Sequence, residues 1–167
     1  MRFFLVATFN LLLCFSFTFC RTSENDPKTS LIPISLKTLE GDSKDLSDYR
    51  GKIVILDFWA TWCEPCSKAV PVLNRWQKEV KGEDFTFLGI NTDQDEKIET
   101  INAHAKTLKM EYPSLLDSDW KLTENYGIDG IPCLLVFGKD GNLLYRQYGV
   151  VETDLTGLIM RSRVWVQ

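Results

Sequence analysis

Histidine is almost missing from this chain: among 167 residues there is one, His104. Cysteine is sparse too, at five residues, which excludes a disulfide-dense scaffold. A structural zinc site wants four Cys or His ligands. Beyond one close cysteine pair the chain offers only Cys133, His104 and the early Cys14 and Cys20, so zinc is poorly supplied. There is no surplus of positive charge. The net charge is −4, which leaves no electrostatic footprint for nucleic acid. Internal repeats and low-complexity tracts are absent as well.

The length fits one domain with enough chain to bury a core, and 44% hydrophobic with 25% charged residues is ordinary for a globular protein. The first twenty residues stand apart. Arg2 is the only charge before Arg21, and Phe3 to Phe19 is mostly apolar. A positive start followed by an apolar run reads as an export signal over residues 1–20, with an uncleaved N-terminal anchor as the alternative. The end of this run also resembles a bacterial lipoprotein leader, with Cys20 as the residue to be lipidated. Residues 21–30 lack apolar side chains and are expected to form a flexible tether. The folded domain is expected over residues 31–167.

Within it, Leu31–Leu39 followed by the turn signal Glu40-Gly41-Asp42-Ser43 predicts a short strand or hairpin. Asp45–Gly51 reads as a loop or helical turn. The β-branched apolar runs Ile53–Trp59 and Phe85–Ile90 predict strands buried on both faces. Val70, Leu73, Trp76 and Val80 recur at helical spacing and predict a helix over 64–80, with Pro71 inside it as a kink. A second helix is expected over Glu96–Leu108, a short strand over Pro113–Leu116, and a short helix over Trp120–Tyr126 that Gly127 stops. Cys133–Phe137 and Leu143–Tyr148 flank an Asp-Gly turn and predict a hairpin. Thr153–Met160 reads as a closing helix with Thr153 as N-cap. The order implies an α/β domain with a mixed sheet, parallel where helices cross over and antiparallel at the last hairpin.

The chemistry centres on Trp62-Cys63-Glu64-Pro65-Cys66, which directly follows the first core strand. Disulfide exchange needs a thiolate. Cys63 falls at the expected helix N-terminus, where unpaired N–H groups and the helix dipole favour an anion. Pro65 suits an early helical position that needs no N–H donor. The expected division is attack by Cys63 and resolution by Cys66. The same spacing serves zinc sites, covalent haem and inert structural disulfides. Ser67 stands where a haem site needs histidine. Asp57 is a carboxylate inside an apolar strand. Buried, it is expected to have a raised pKa and to exchange a proton near pH 7; the alternative is that it reaches water or a lysine.

Phe58 through Cys66 resembles the active-site segment of the thioredoxin superfamily. Pro71 matches the proline in that family's active-site helix, and Tyr126 through Pro132 matches the segment ending in its cis-proline. The resemblance implies a thioredoxin-like fold, a cis Pro132 facing the cysteine pair, and Asp57 as the buried aspartate that moves the proton of the second cysteine. Leu46–Lys52 ahead of the first core strand, and extra residues before Pro132, resemble the TlpA/ResA type of extracytoplasmic, usually tethered proteins. That type implies an N-terminal strand or hairpin extension and a central insertion. ResA-like members carry this Cys-Glu-Pro-Cys sequence and reduce apocytochrome c. Two positions depart from their pattern: Ala69 where they often have glutamate, and Cys133 where threonine usually follows the cis-proline.

The expected function is therefore thiol–disulfide exchange with protein substrates outside the cytoplasm, in the reducing direction, in the periplasm or on a membrane tether facing it. Cys63, Cys66 and Asp57 carry the chemistry. Trp62, Pro65, Ile131 and Pro132 hold the substrate chain in an extended pose. No cofactor or metal is expected beyond the cysteines, and an electron donor is implied but not identified. Membrane contact is expected only through an N-terminal anchor or lipid. Cys133 is either a small buried hydrophobe or a third thiol that competes for the Cys63–Cys66 disulfide. Two other classes remain: a peroxiredoxin-like thiol peroxidase, for which Ala60 stands in place of the expected Thr three residues before Cys63, and a non-catalytic binding module.

Overall fold

The structure, a computed structural model, describes residues 27–80 and 84–149. The expected leader with Cys20, most of the tether, and the closing helix over 153–160 lie outside the described residues. Among those residues no helix is long and apolar enough to cross a membrane.

Among the described residues, seven strands form one mixed sheet. In chain order they are β1 (Ser35–Thr38), β2 (Ser43–Asp45), β3 (Ile53–Trp59), β4 (Phe85–Asn91), β5 (Ser114–Leu116), β6 (Cys133–Phe137) and β7 (Leu143–Tyr148). Their order across the sheet is β2-β1-β5-β4-β3-β6-β7. The pairs β3–β4 and β4–β5 are parallel, and the remaining pairs are antiparallel. The N-terminal hairpin β1–β2 extends the sheet by adding β1 to the outer side of β5. A 3-10 turn at Leu46–Tyr49 follows it, started by Asp45, whose carboxylate accepts from the Ser47 N–H at 2.8 Å.

Helices α1 (Cys66–Glu79), α2 (Ile98–Thr107) and α3 (Lys121–Asn125) cover the sheet. The two-residue period of a strand sorts the core onto its two faces. Val54, Leu56 and Phe58 join Cys133, Leu135 and Phe137 in a cluster with Leu122 and Tyr126 of the α3 region. Ile53 and Ile55 join Leu134, Val136 and the α1 residues Leu73 and Trp76 on the other face. Trp59 continues this α1 face and packs with Cys63, Cys66 and the α2 residues Ile101 and Ala105. Asp57 falls between Ile55 and Trp59 and therefore also points to the α1 side.

Gly89 on β4 makes room for the Trp59 indole, whose Nε1–H donates to Ser114 Oγ at 2.9 Å. A Cβ at Gly89 would lie 2.9 Å from Ser114 Oγ and 3.0 Å from Trp59 Nε1. Gly89→Ala is expected to destabilise the fold by roughly 1–3 kcal/mol, read as a lower denaturation midpoint at unchanged slope. His104 stacks on the same indole, with ring centroids 6.2 Å apart, and so serves packing.

The expected helix over 64–80 begins two residues late. Pro65 is the N-cap and Cys66 is the first helical residue. Tight i→i−3 bonds enter it: Cys66, Ser67 and Lys68 N–H donate to the carbonyls of Cys63, Glu64 and Pro65 at 3.1 Å each. Cys63 therefore lies in the turn ahead of α1 rather than in its first turn.

Candidate active site

The site assembles where the end of β3 lies beside the start of β6. Phe58 on β3 faces Cys133 on β6 in the antiparallel ladder. The chain beyond Trp59 makes the turn that carries Cys63. The chain arriving at Cys133 passes through Pro132, and the Ile131–Pro132 bond is cis. The two segments thus meet at one end of the sheet although they are far apart in sequence.

Cys63 and Cys66 are joined in a disulfide, with S–S 2.00 Å and Cα–Cα 5.4 Å. Cys63 retains 5% exposure while Cys66 retains 0%. Trp62, next to the pair, is 69% exposed, whereas Trp59 is fully buried and packs. Glu64 and Pro65 are also exposed.

The turn before the pair is pinned by the end of β4. Asp93 is buried and accepts from the Thr61 N–H at 2.9 Å, from Thr61 Oγ1 at 3.0 Å and from Asn91 Nδ2 at 2.8 Å. Thr92 N–H donates to the Trp59 carbonyl at 2.9 Å. Neither Asn91 nor Asp93 stands out in the sequence, because an Asn-Thr-Asp run after a strand reads as an ordinary loop.

Asp57 is 2% exposed and accepts a hydrogen bond from the Tyr112 hydroxyl at 2.8 Å. Burial pushes its carboxyl up to about 7, against the lowering effect of that bond. Its partner is thus a buried tyrosine rather than a lysine. Burial, with the Asp57 charge adding, raises the Tyr112 hydroxyl well above its usual value, so it stays a donor. A carboxyl in this state can take up or give off a proton near neutrality. Tyr112 lies before Pro113 in the loop leading to β5, and nothing in its local sequence announces the pairing.

Cys133 starts β6 as a fully buried free thiol. Its side chain belongs with Phe58, Leu122 and Tyr126, on the opposite sheet face from the cluster that holds Cys63 and Cys66. Burial pushes its pKa up to about 12, the Arg146 charge partly opposing. Reduced native protein at pH 8 is expected to leave Cys133 unlabelled by iodoacetamide while Cys63 is modified, and to label Cys133 only after unfolding. Peptide mapping by mass reads both. Native labelling of Cys133 at a rate comparable with Cys63 would contradict this placement.

Beside the pair runs a groove of about 430 Å³ between Trp62 on one side and the Ile128–Ile131 segment on the other. Among the described residues no group of three or more His, Cys, Asp or Glu side chains is placed to hold a metal ion.

The model of a known family, described as AhpC/TSA, matches residues 28–146. The chain belongs to the AhpC/TSA family. Among relatives of this AhpC/TSA member, the thioredoxin-like protein YneN of Bacillus subtilis is 34% identical over 108 residues, covering 64% of the chain and 62% of YneN. The thiol-disulfide oxidoreductase ResA of Bacillus thuringiensis is 30% identical over 106 residues, covering 64% of the chain and 60% of ResA. The matches thus span less than two thirds of these relatives' length. A solved structure titled as a putative thiol:disulfide interchange protein DsbE from Chlorobium tepidum aligns with TM-score 0.72 at 26% identity, over 82% of this chain and 97% of that one. The fold of this family member is accordingly thioredoxin-like, a mixed sheet flanked by helices.

Proposed function

We propose that this protein is an exported thiol–disulfide oxidoreductase that reduces disulfides in protein substrates. The observation that carries the reading is the closed Cys63–Cys66 pair at the end of β3, opposite the cis Ile131–Pro132 bond and on the same sheet face as buried Asp57. The names of ResA and the DsbE-like structure support it.

In the reducing direction, the Cys63 thiolate attacks one sulfur of a substrate disulfide and forms a mixed disulfide, releasing one substrate thiolate that takes a proton. Asp57 takes the proton of Cys66. The Cys66 thiolate then attacks Cys63 Sγ, which breaks the mixed disulfide and forms the Cys63–Cys66 bond. The second substrate sulfur leaves as a thiolate and is protonated. Two electrons pass from the pair to the substrate, and a separate donor dithiol restores the pair. Trp62, Pro65, Ile131 and Pro132 form the surface on which the substrate chain lies. Residues 1–20 serve as the export leader, with Cys20 as a lipid attachment point, and residues 21–30 as the tether, placing the domain in the periplasm.

The test is insulin reduction with dithiothreitol as donor, together with the potential of the pair. Wild type is expected to reduce insulin and Cys63→Ser to be blank. The potential is expected nearer the thioredoxin value of about −270 mV than the DsbA value of about −120 mV. An oxidising potential would reverse the direction. Rapid peroxide consumption without insulin reduction would move the protein to the peroxidase class.

A further inference from the structure

We propose that the groove beside Trp62 selects polypeptides with an arginine or lysine close to the reacting cysteine. This rests on the reading of the pair as a polypeptide reductant. Exposed tryptophan is uncommon, yet two line this one groove, Trp62 at 69% and Trp120 at 38% exposure. Trp120 is held there at some cost. Its φ is +57°, a left-handed conformation unusual for a bulky residue, and its Nε1–H donates to the Thr92 carbonyl at 2.8 Å. Ile128 and Ile131 supply apolar surface between them.

Glu124 and Asp129 bring charge to a lining that also holds Thr92, Thr123 and Gly130, and among the described residues no Lys, Arg or His is part of it. Both carboxylates are exposed, and among the described residues neither forms an ion pair. The Tyr148 hydroxyl donates to the Gly127 carbonyl at 3.3 Å and so leaves the Asp129 charge in place. Lys121 and Arg146 approach from α3 and β7, and among the described residues neither forms an ion pair with Glu124 or Asp129. Lys121 pairs with Asp119 at 2.6 Å, and Arg146 donates to the carbonyls of Tyr126 and Gly127 at 2.6 and 3.3 Å.

Two indole side chains beside carboxylates that no described ion pair neutralises suit a side chain that is apolar along its stem and cationic at its tip. An aliphatic or aromatic occupant would satisfy the walls and leave the carboxylates unused. An acidic one would be repelled. Glu64, exposed next to Cys63, adds charge of the same sign beside the reacting cysteine. The groove adjoins Cys63 through Trp62 and Pro132 through Ile131, so a chain whose cysteine reaches Cys63 brings its neighbouring side chains over it.

The experiment uses pre-reduced full-length protein in single turnover, so no other reductant enters. The Cys63 and Cys66 thiols give two electrons to each peptide disulfide, whose S–S bond breaks as the protein disulfide forms. Disulfide peptides identical except two positions to either side of one cysteine carry Arg, Lys, norleucine or Glu. Arg and Lys peptides are expected to react about tenfold faster than norleucine, with Glu slowest. The ratio of Arg to norleucine rates is expected to fall toward one in Glu124→Gln/Asp129→Asn, and in the wild type as salt is raised. Should the double variant fail to fold, the peptide series and salt dependence in the wild type decide alone. Norleucine reacting fastest, or all peptides reacting equally, overturns the inference while leaving the oxidoreductase intact. No reaction with any peptide, nor with insulin, overturns the oxidoreductase reading itself.

Discussion

Asp57→Asn is expected to stabilise the oxidised protein at pH 8 by several kcal/mol and to change its stability little at pH 4. The carboxyl has an ordinary value of 3.8, and burial raises it to about 7 in the fold. The folded state therefore holds this proton more tightly than the unfolded chain. Below pH about 4 the group is protonated in both states, and its contribution is fully present. As pH rises the unfolded chain ionises first, and stability falls until the folded carboxyl also ionises near 7. Above that the loss is complete, because both states are charged and the folded one keeps a carboxylate out of water. A shift of about three units corresponds to a loss on the order of 4 kcal/mol. Asparagine is nearly isosteric, carries no charge at any pH, and keeps an oxygen to accept from Tyr112. Urea unfolding at pH 4, 6 and 8 measures the difference. A gain that does not grow with pH would show that Asp57 is not held as described. The same substitution removes the proton acceptor proposed for Cys66, so the more stable variant is expected to exchange disulfides more slowly.

The second large effect concerns the two cysteines separately. Cys66→Ser is expected to accumulate mixed disulfides with protein substrates and to cut turnover by roughly two orders of magnitude or more, since attack survives but resolution does not. Cys63→Ser is expected to form no such complexes. The asymmetry follows from access, Cys63 keeping 5% exposure and Cys66 none. Cys133 is not expected to rescue resolution, because it belongs to the cluster on the far face of the sheet. Non-reducing gels with mass mapping read the result. Complexes through Cys66 in the Cys63→Ser protein would exchange the two roles.

Much of the fold is readable along the chain because its strands are apolar and its turns carry strong local chemistry. Ile53–Trp59 is buried at every position, as a run without alternation implies. The Gly138–Gly141 turn puts Gly141 at φ +82°, the conformation an Asp-Gly step favours. The start of α1 is less legible, since apolar spacing cannot tell a helical turn from the tighter turn that the bonds around Pro65 create. Cys133 shows a different limit. Its place next to Pro132 suggests nearness to the redox pair, but the face a strand residue takes depends on register, and pairing with Phe58 turns it away. Tyr112 and Trp120 acquire their roles through contacts to Asp57 and Thr92, distant in sequence and invisible to any local pattern.

The meeting of the end of β3 with the start of β6 also bears on how the chain folds. The cysteine pair, β3, α1 and β4 come from one contiguous stretch and can assemble through short-range contacts. The wall bearing Pro132 is complete only when β6 closes a long loop onto β3, a non-local pairing that loop-closure entropy is expected to make slow. Before that step the reduced Cys63 and Cys66 thiols lack the wall that selects their partners, so a refolding chain is expected to form mixed disulfides with less discrimination than the finished domain.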